Sequence, residues 1–429
     1  MAKPTFISII PLLVFIVVFL GAGIYFDDFY SFPSPLAALV GVVVALVLYR
    51  STFEEKVGIF LKGCGDNKVL TMCVIYLLAG AFATVTKASG SVDSIVNLGI
   101  SYISPAYYPV GVFVIASFLS FASGTSVGSI MTLGPIVVDL ALQSDSNMSL
   151  IGASLLSGAM FGDNLSLISD TTIAATQTMD CSMDDKMKAN SRIAFPAALL
   201  TILVLFLLGG NATGTEAALA AKDYNLILIT PYLLVIVLSV VGVNVFISLF
   251  AGIVLSGIIG MAYGQFDFLT YAKVAYEGFL SMMDVFLLAM FAGGLSAMVD
   301  RFGGIQYMMN SIRRHISSAR SGLLGIGFLV SAVNLCVANN TVSILIASRL
   351  SKQIVDRFGI RKQYAASVLD IFSCYVQGIV PYGAQLLVLM SLSHGNINYW
   401  ELLSYVVYLH LLLLATLIFI VFVMDASKQ

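Results

Sequence analysis

Apolar residues run along the chain in long blocks, and small polar residues punctuate them. Phe6 to Tyr25 is apolar for about 20 residues, enough to cross a bilayer. Further apolar stretches lie near 34–50, 68–86, 106–122, 127–142, 150–163, 193–210, 224–240, 244–262, 282–299, 321–337, 342–356, 364–376, 380–393 and 401–424. Several are too short to cross alone and stand in neighbouring pairs around a polar break. At membrane depth, non-helical backbone survives only inside protein or beside a water-filled cavity. The paired segments therefore predict re-entrant hairpins at 106–142 and 321–356 and broken helices at 150–179 and 364–393. The first stretch reads as a membrane helix rather than a signal peptide, because Asp27-Asp28 follows it in place of a small-residue cleavage site.

The same order of segments occurs twice. Residues 1–210 form a first repeat, with scaffold helices over 5–86, the hairpin 106–142, the broken helix 150–179 and a closing helix 193–210. Residues 224–424 form a second, with scaffold helices over 224–299, the hairpin 321–356, the broken helix 364–393 and a closing helix 401–424. Leu77-Leu78-Ala79 answers Leu287-Leu288-Ala289, and Gly90-Ser91-Val92 answers Gly303-Gly304-Ile305. Gly124-Thr125-Ser126-Val127 answers Asn339-Asn340-Thr341-Val342, and Asp163 answers Asp370. The loops between them differ in charge. Segment 51–67 has two lysines and its partner 263–281 one; segment 87–105 has one lysine and its partner 301–320 has four arginines. Corresponding loops thus face opposite sides, as in inverted-repeat secondary transporters whose sites lie between the repeats. The expected fold is an all-α polytopic membrane protein with two re-entrant hairpins and two broken helices.

Composition agrees. Apolar residues make up 59% and charged residues 10%, against roughly 25% charged in soluble domains. Mean hydropathy is +0.98. With both hairpins returning to their starting side and the N-terminus cytoplasmic, Lys87, Lys222 and Lys273 are outside and the rest of the 21 Lys and Arg are inside. The positive-inside rule favours that arrangement, with both termini cytoplasmic. Net charge is −2 without a basic domain, so nucleic acid is not an expected partner. There is no P-loop motif. Cys64, Cys73, Cys181, Cys336 and Cys374 fit no zinc or CxxC spacing and read as small packed residues.

Three polar clusters fall at membrane depth. The first is the pair of hairpin tips, Ser123-Gly124-Thr125-Ser126 and Asn339-Asn340-Thr341. Hydroxyls, amides and freed carbonyls there suit a small hard cation such as Na⁺, and helix N-termini at the same breaks suit an anionic group. The second is Gly162-Asp163-Asn164-Leu165-Ser166-Leu167-Ile168-Ser169-Asp170-Thr171-Thr172. A buried carboxylate is costly unless paired, protonated or bound to a cation. No Lys or Arg is expected in a span at this depth, which leaves a proton or a metal cation. Asp170 also fits the start of a helix. The third is Asp370 with Ser373, Gln377, Gly378, Pro381, Tyr382 and Gln385, the second broken helix. Na⁺ is expected near Thr125, Ser126, Asp163, Asn340, Thr341 and Asp370. Asp284 reads as interfacial, His315 and His394 as loop residues, and Trp400 and Tyr399 as an interfacial belt. His410, mid-span, reads as a packed neutral histidine rather than a proton relay.

At 162–174, GDNLSLISDTTIA, the chain resembles the NhaC-type sodium/proton antiporters and the wider ion-transporter superfamily that includes divalent-anion/sodium symporters. The tip SGTS and the segments VANNTVS and LDIFSCYVQGIVPYGAQ are similar too, and the resemblance runs from about 65 to 395. It implies Na⁺/H⁺ exchange in a bacterial inner membrane, a homodimer, and elevator-like motion of the hairpin domain against a scaffold. It also implies Asp163, Ser166, Ser169, Asp170, Thr171 and Thr172 on the ion path. Position 164 is Asn where a basic residue is frequent, and 167 is Leu where Pro is frequent. Members of the family have also been assigned to organic-acid or amino-acid exchange.

Two functions therefore compete. One is Na⁺/H⁺ antiport, with Asp163 and Asp370 alternately holding Na⁺ or H⁺ and no cofactor beyond those ions. The other is Na⁺- or H⁺-coupled transport of an amino acid or monocarboxylate. An intramembrane enzyme is disfavoured by three histidines and no HExxH, and a passive channel has no need of the repeat symmetry.

Overall fold

A computed structural model of the 429-residue chain describes residues 4–25, 33–167, 169–210 and 223–426. Lys3, Asp27, Asp28, Ile168, Lys222 and Lys428 lie outside the described residues. The first half runs through α1 (Ile10–Tyr25), α2 (Ser34–Leu48), α3 (Phe53–Cys64), α4 (Asn67–Ala88), α5 (Ser91–Tyr102), α6 (Tyr108–Ser123), α7 (Ser126–Gln143), α8 (Met148–Leu165), α9 (Asp170–Met179) and α10 (Met183–Gly210). The second runs through α11 (Leu226–Val240), α12 (Val245–Ala262), α13 (Phe268–Ser281), α14 (Met283–Arg301), α15 (Gly304–Arg313), α16 (Ala319–Val337), α17 (Asn340–Phe358), α18 (Lys362–Ile379), α19 (Ala384–Leu392), α20 (Tyr399–Tyr405) and α21 (Val407–Ala426). Among the described residues no strand occurs. Nine stretches of them are long and apolar enough to cross a membrane, or ten if the bent pair α20–α21 is one span.

The halves pack as mirror roles. Helix α3 lies on α14 and α13 on α4; α1 pairs with α2 and α11 with α12; α6 lies on α8 and α16 on α18. Glycine permits close crossings in the scaffold. A Cβ on Gly63 would meet the Cβ of Ala297 at 2.5 Å and the carbonyl of Gly293 at 2.7 Å, and one on Gly80 would run into the carbonyl of Gly278. Small residues at such crossings let membrane helices approach to backbone contact.

Four segments read as loops are helices. Segments 51–67 and 263–281 contain α3 and α13, and 87–105 and 301–320 contain α5 and α15. Their polar residues mask them in a hydropathy trace, but their starts are well capped. The Thr52 hydroxyl accepts from Glu55 N at 3.3 Å and the Asp267 carboxylate from Thr270 N at 2.8 Å. Helices α5 and α15 each follow a left-handed glycine, Gly90 at φ 77° and Gly303 at φ 85°.

Each hairpin turns in two residues. Helix α6 ends on Gly124 and α16 on Ala338, both left-handed; Thr125 and Asn339 are then extended and cap α7 and α17. The broken helices open at matching places, between Ser166 and Ser169 and between Val380 and Gly383. These breaks divide membrane-length stretches, Met148–Met179 and Lys362–Leu392. The hairpin tips meet the breaks, and the arms α6, α7 and α16 are each long and apolar enough to cross a membrane, where the apolar runs predict segments too short to cross alone. The step that carries Gly124 onto Ala338 and Ser166 onto Val380 also carries Asp163 onto Gln377. Asp163 and Asp370 are therefore not repeat partners. Matching by residue type tolerated a slip that the caps do not.

Candidate functional site

Both tips and both breaks open on one cavity of about 180 Å³. Its polar wall belongs to the hairpins and broken helices: Gly124, Thr125 and Ser126; Asp163, Ser169, Asp170 and Thr171; Asn339, Asn340 and Thr341; Gln377, Tyr382 and Gln385. The facing wall belongs to α4 and α14. Apart from Tyr76 it is apolar or small, with Val69, Met72, Leu288, Ala289, Ala292 and Gly293. No Lys or Arg is among the described residues that line it.

Asp163 anchors the buried end. Its Oδ2 accepts from Ser126 Oγ at 2.7 Å and Ser126 N at 3.2 Å, and its Oδ1 accepts from Ser169 Oγ at 2.6 Å. Ser169 sits at the N-cap of α9, yet its hydroxyl does not cap the helix; it is turned onto Asp163. Thr171 Oγ1 lies 3.0 Å from Ser169 Oγ. Asp170 is exposed on the rim, at the first turn of α9, where an acid complements the helix dipole. Gln385 reaches across the repeats to give Nε2 to Ser126 Oγ at 3.0 Å. Its buried Oε1 has no protein partner among the described residues.

The second tip is held differently. Gln377 Nε2 donates to the carbonyl of Ala338 at 3.1 Å and Tyr382 OH to that of Leu335 at 2.9 Å. Both carbonyls belong to the end of α16, where the helix leaves acceptors unpaired. Asn340 Oδ1 accepts from Asn334 Nδ2 at 3.0 Å, and that amide also serves the carbonyl of Ser373 at 2.8 Å.

Behind the cavity lies a second polar centre. Lys186 Nζ is 2.5 Å from Asp370 Oδ2, and both side chains are fully buried. The ammonium also reaches Thr172 Oγ1 at 2.8 Å and the Asn164 carbonyl at 3.4 Å. Asn190 Nδ2 donates to that carbonyl at 2.7 Å and to Asp370 Oδ2 at 3.4 Å.

The sequence profile described as "Na+/H+ antiporter family" matches residues 2–211 and 212–424. The chain belongs to the Na⁺/H⁺ antiporter family. The transporter is similar to the malate-2H⁺/Na⁺-lactate antiporter of Bacillus subtilis, 21% identical over 85% of this chain and 84% of that one. It is also similar to the Na⁺/H⁺ antiporter NhaC of Alkalihalophilus pseudofirmus, 25% identical over 72% and 73%. Among solved structures it matches the YdaH transporter of Alcanivorax borkumensis, 14% identical, covering 96% and 97% of the chains with a TM-score of 0.42. The chain is thus a multi-pass membrane transporter of an antiporter family, not an enzyme.

Most of the sequence-derived site residues meet in the transporter's cavity. Ser123, Asn164, Ser166, Thr172, Asp370 and Ser373 do not line it. Ser123 Oγ lies 3.5 Å from Ser129 Oγ within the tip, and Ser373 Oγ donates to the Asp370 carbonyl at 2.9 Å. Asn164, Thr172 and Asp370 contact the buried lysine, and Ser166 is buried at the α8–α9 break. Two expectations are corrected: a cationic side chain does lie at this depth, and it neutralises Asp370, which does not face the cavity. The hydropathy pattern starts the closing helix at 193, whereas α10 begins at Met183. Within its polar start, MDDKMKANSR, Lys186 and Asn190 are buried against α8, α9 and α18, while Asp184, Asp185, Lys188 and Arg192 are exposed. Asn190 was missed for the same reason, and Asn334 because a single amide inside the apolar stretch 321–337 does not interrupt its pattern.

The remaining polar readings divide. Tyr399 is buried and donates its hydroxyl to the Ile379 carbonyl at 2.7 Å, beside the α18–α19 break, so it is no interfacial residue; Trp400 is half exposed. His410 is exposed and its Nε2 lies 2.9 Å from the Leu403 carbonyl, at the 52° bend between α20 and α21.

Proposed function

We propose that the transporter exchanges Na⁺ for H⁺ at Asp163 in an elevator-type cycle. The carrying observation is the division of the cavity: every carboxylate lining it sits on the hairpin and broken-helix side, and the scaffold side offers a nearly apolar wall. A cation held by Asp163, with hydroxyl and carbonyl oxygens of the two tips, travels with one body and leaves no ligand behind. An unneutralised carboxylate at mid-membrane costs roughly 3 kcal/mol or more, about a hundredfold in population. The empty carrier is held back, and either Na⁺ or H⁺ releases it. The setting is a bacterial inner membrane, with both termini cytoplasmic and two copies in a dimer.

The test uses purified protein in liposomes with a pH dye inside. External Na⁺ drives a pH change in the wild type and none in Asp163→Asn. Full activity in that variant would sink the assignment.

A second reading is favoured by cavity size. Liquid water occupies about 30 Å³ per molecule, so 180 Å³ is more than a bare Na⁺ needs. The first residues of α7, α9, α17 and α19 all open on the space, and helix N-termini favour carboxylates. The similarity to a lactate- and malate-exchanging relative points the same way. Under this reading a monocarboxylate or amino acid rides with the cation, and the pH change appears only once that solute is added to the same liposomes.

A further inference from the structure

The buried pair behind the cavity binds no cargo under the antiport reading, on which this inference rests, yet it fixes the charge of the carrier. Lys186 is an ammonium by its partners. Its three N–H donors face three acceptors, Asp370 Oδ2, Thr172 Oγ1 and the Asn164 carbonyl. A neutral amine would aim its lone pair at one of them. Asp370 is saturated in turn, with Oδ2 also reached by Asn190 Nδ2 and Oδ1 by Cys374 Sγ at 3.6 Å. The elements that enclose the pair are α8, α9, α10 and α18, with Tyr408 of α21 touching Asn164. Two other carboxylates of this body are buried: Asp163, and Asp139 near the end of α7, which has its own counter-ion in Lys87 at 3.2 Å; Asp170 stays in water on the rim.

We propose that Lys186 is a positioning residue that sets the coupling stoichiometry: it keeps Asp370 permanently neutralised, so Asp163 alone exchanges its cation and one Na⁺ is traded for one H⁺. The loaded carrier then has the same charge with either ion, and the cycle moves no net charge. Removing Lys186 leaves two buried carboxylates, Asp163 and Asp370, without a counter-ion, and a second cation must bind before the body can cross. Removing both members of the pair restores the single exchanging carboxylate. A buried pair replaced as a unit is tolerated far better than one broken by a single substitution.

The experiment measures Na⁺-driven pH change in liposomes under K⁺ diffusion potentials of both signs, set with valinomycin. Wild-type rates do not respond to the potential, and the Na⁺ dependence has a Hill coefficient of about one. In Lys186→Met two carboxylates must fill before each crossing, so the exchange becomes two for two, stays insensitive to the potential, and its coefficient rises towards about two. In Lys186→Met/Asp370→Asn the coefficient returns to about one and the rate to within about threefold of wild type. Size-exclusion and thermal-melting profiles of each variant separate folding from transport. Potential-driven exchange in the wild type would overturn the proposal. So would a folded but inactive double variant, since one of the pair would then carry an ion itself. If the wild type shows no Na⁺-driven pH change at all, the antiport reading fails first, and this inference falls with it.

Discussion

At the scale of residues, Ser126 tests the site most gently. Its hydroxyl donates to Asp163 and accepts from Gln385, and its backbone N–H reaches the same carboxylate. Ser126→Ala removes the hydroxyl links and keeps the backbone one. A hydrogen bond to a charged group contributes about 1.5 kcal/mol or somewhat more, so the Na⁺ concentration for half-maximal exchange should rise about tenfold, with little change in the maximal rate. An unchanged half-maximal concentration would place the cation elsewhere. The polar window 162–172 was legible because its residues are unusual for membrane depth, and Asp163, Ser169, Asp170 and Thr171 do meet the tips. Lys186 was not legible, since a lysine among Asp, Lys, Asn and Arg looks like an ordinary interfacial start. Only the packing of α10 against α18 shows that it is enclosed.

At the scale of elements, the glycine crossings hold the scaffold. The Cβ of Gly80→Ala would press on the Gly278 carbonyl and lie 2.8 Å from Met282 Cγ, forcing α4 and α13 apart. Overpacking of this kind costs about 1–3 kcal/mol, seen as a lowered melting temperature in detergent. Gly58→Ala on α3 is the control: a Cβ there meets nothing within 4 Å, and the melting temperature should hold or rise slightly. Equal shifts in the two variants would contradict the crossing. The breaks at 124–125, 166–169, 338–339 and 380–383 were readable from small polar residues between apolar runs, but the hairpin arms are longer than those runs suggested. The helices α3, α5, α13 and α15 were not, because their polar faces interrupt the apolar pattern that marks a span.

At the scale of the whole molecule, the cavity follows α4 from Val69 to Tyr76, while the far end of that helix is tied to the hairpin. Lys87 Nζ lies 3.2 Å from Asp139 Oδ1, and Gln143 Nε2 holds Oδ2 at 2.8 Å. If the hairpin body slides on the scaffold, these groups must part. With Lys87 and Asp139 replaced by cysteines and joined by a short thiol-specific bridge, transport should stop and return on reduction. Continued transport with the bridge in place would rule out the sliding cycle. The Lys186–Asp370 contact also bears on how the chain is made. Asp370 is 184 residues further along than Lys186. At a synthesis rate of roughly 5–20 residues per second, about 10–40 s pass between the two. During that time Lys186 lacks Asp370, and the polar start of α10 belongs in the headgroups. The first half cannot mature by itself, and a nascent chain halted before α18 should be a substrate for membrane proteases.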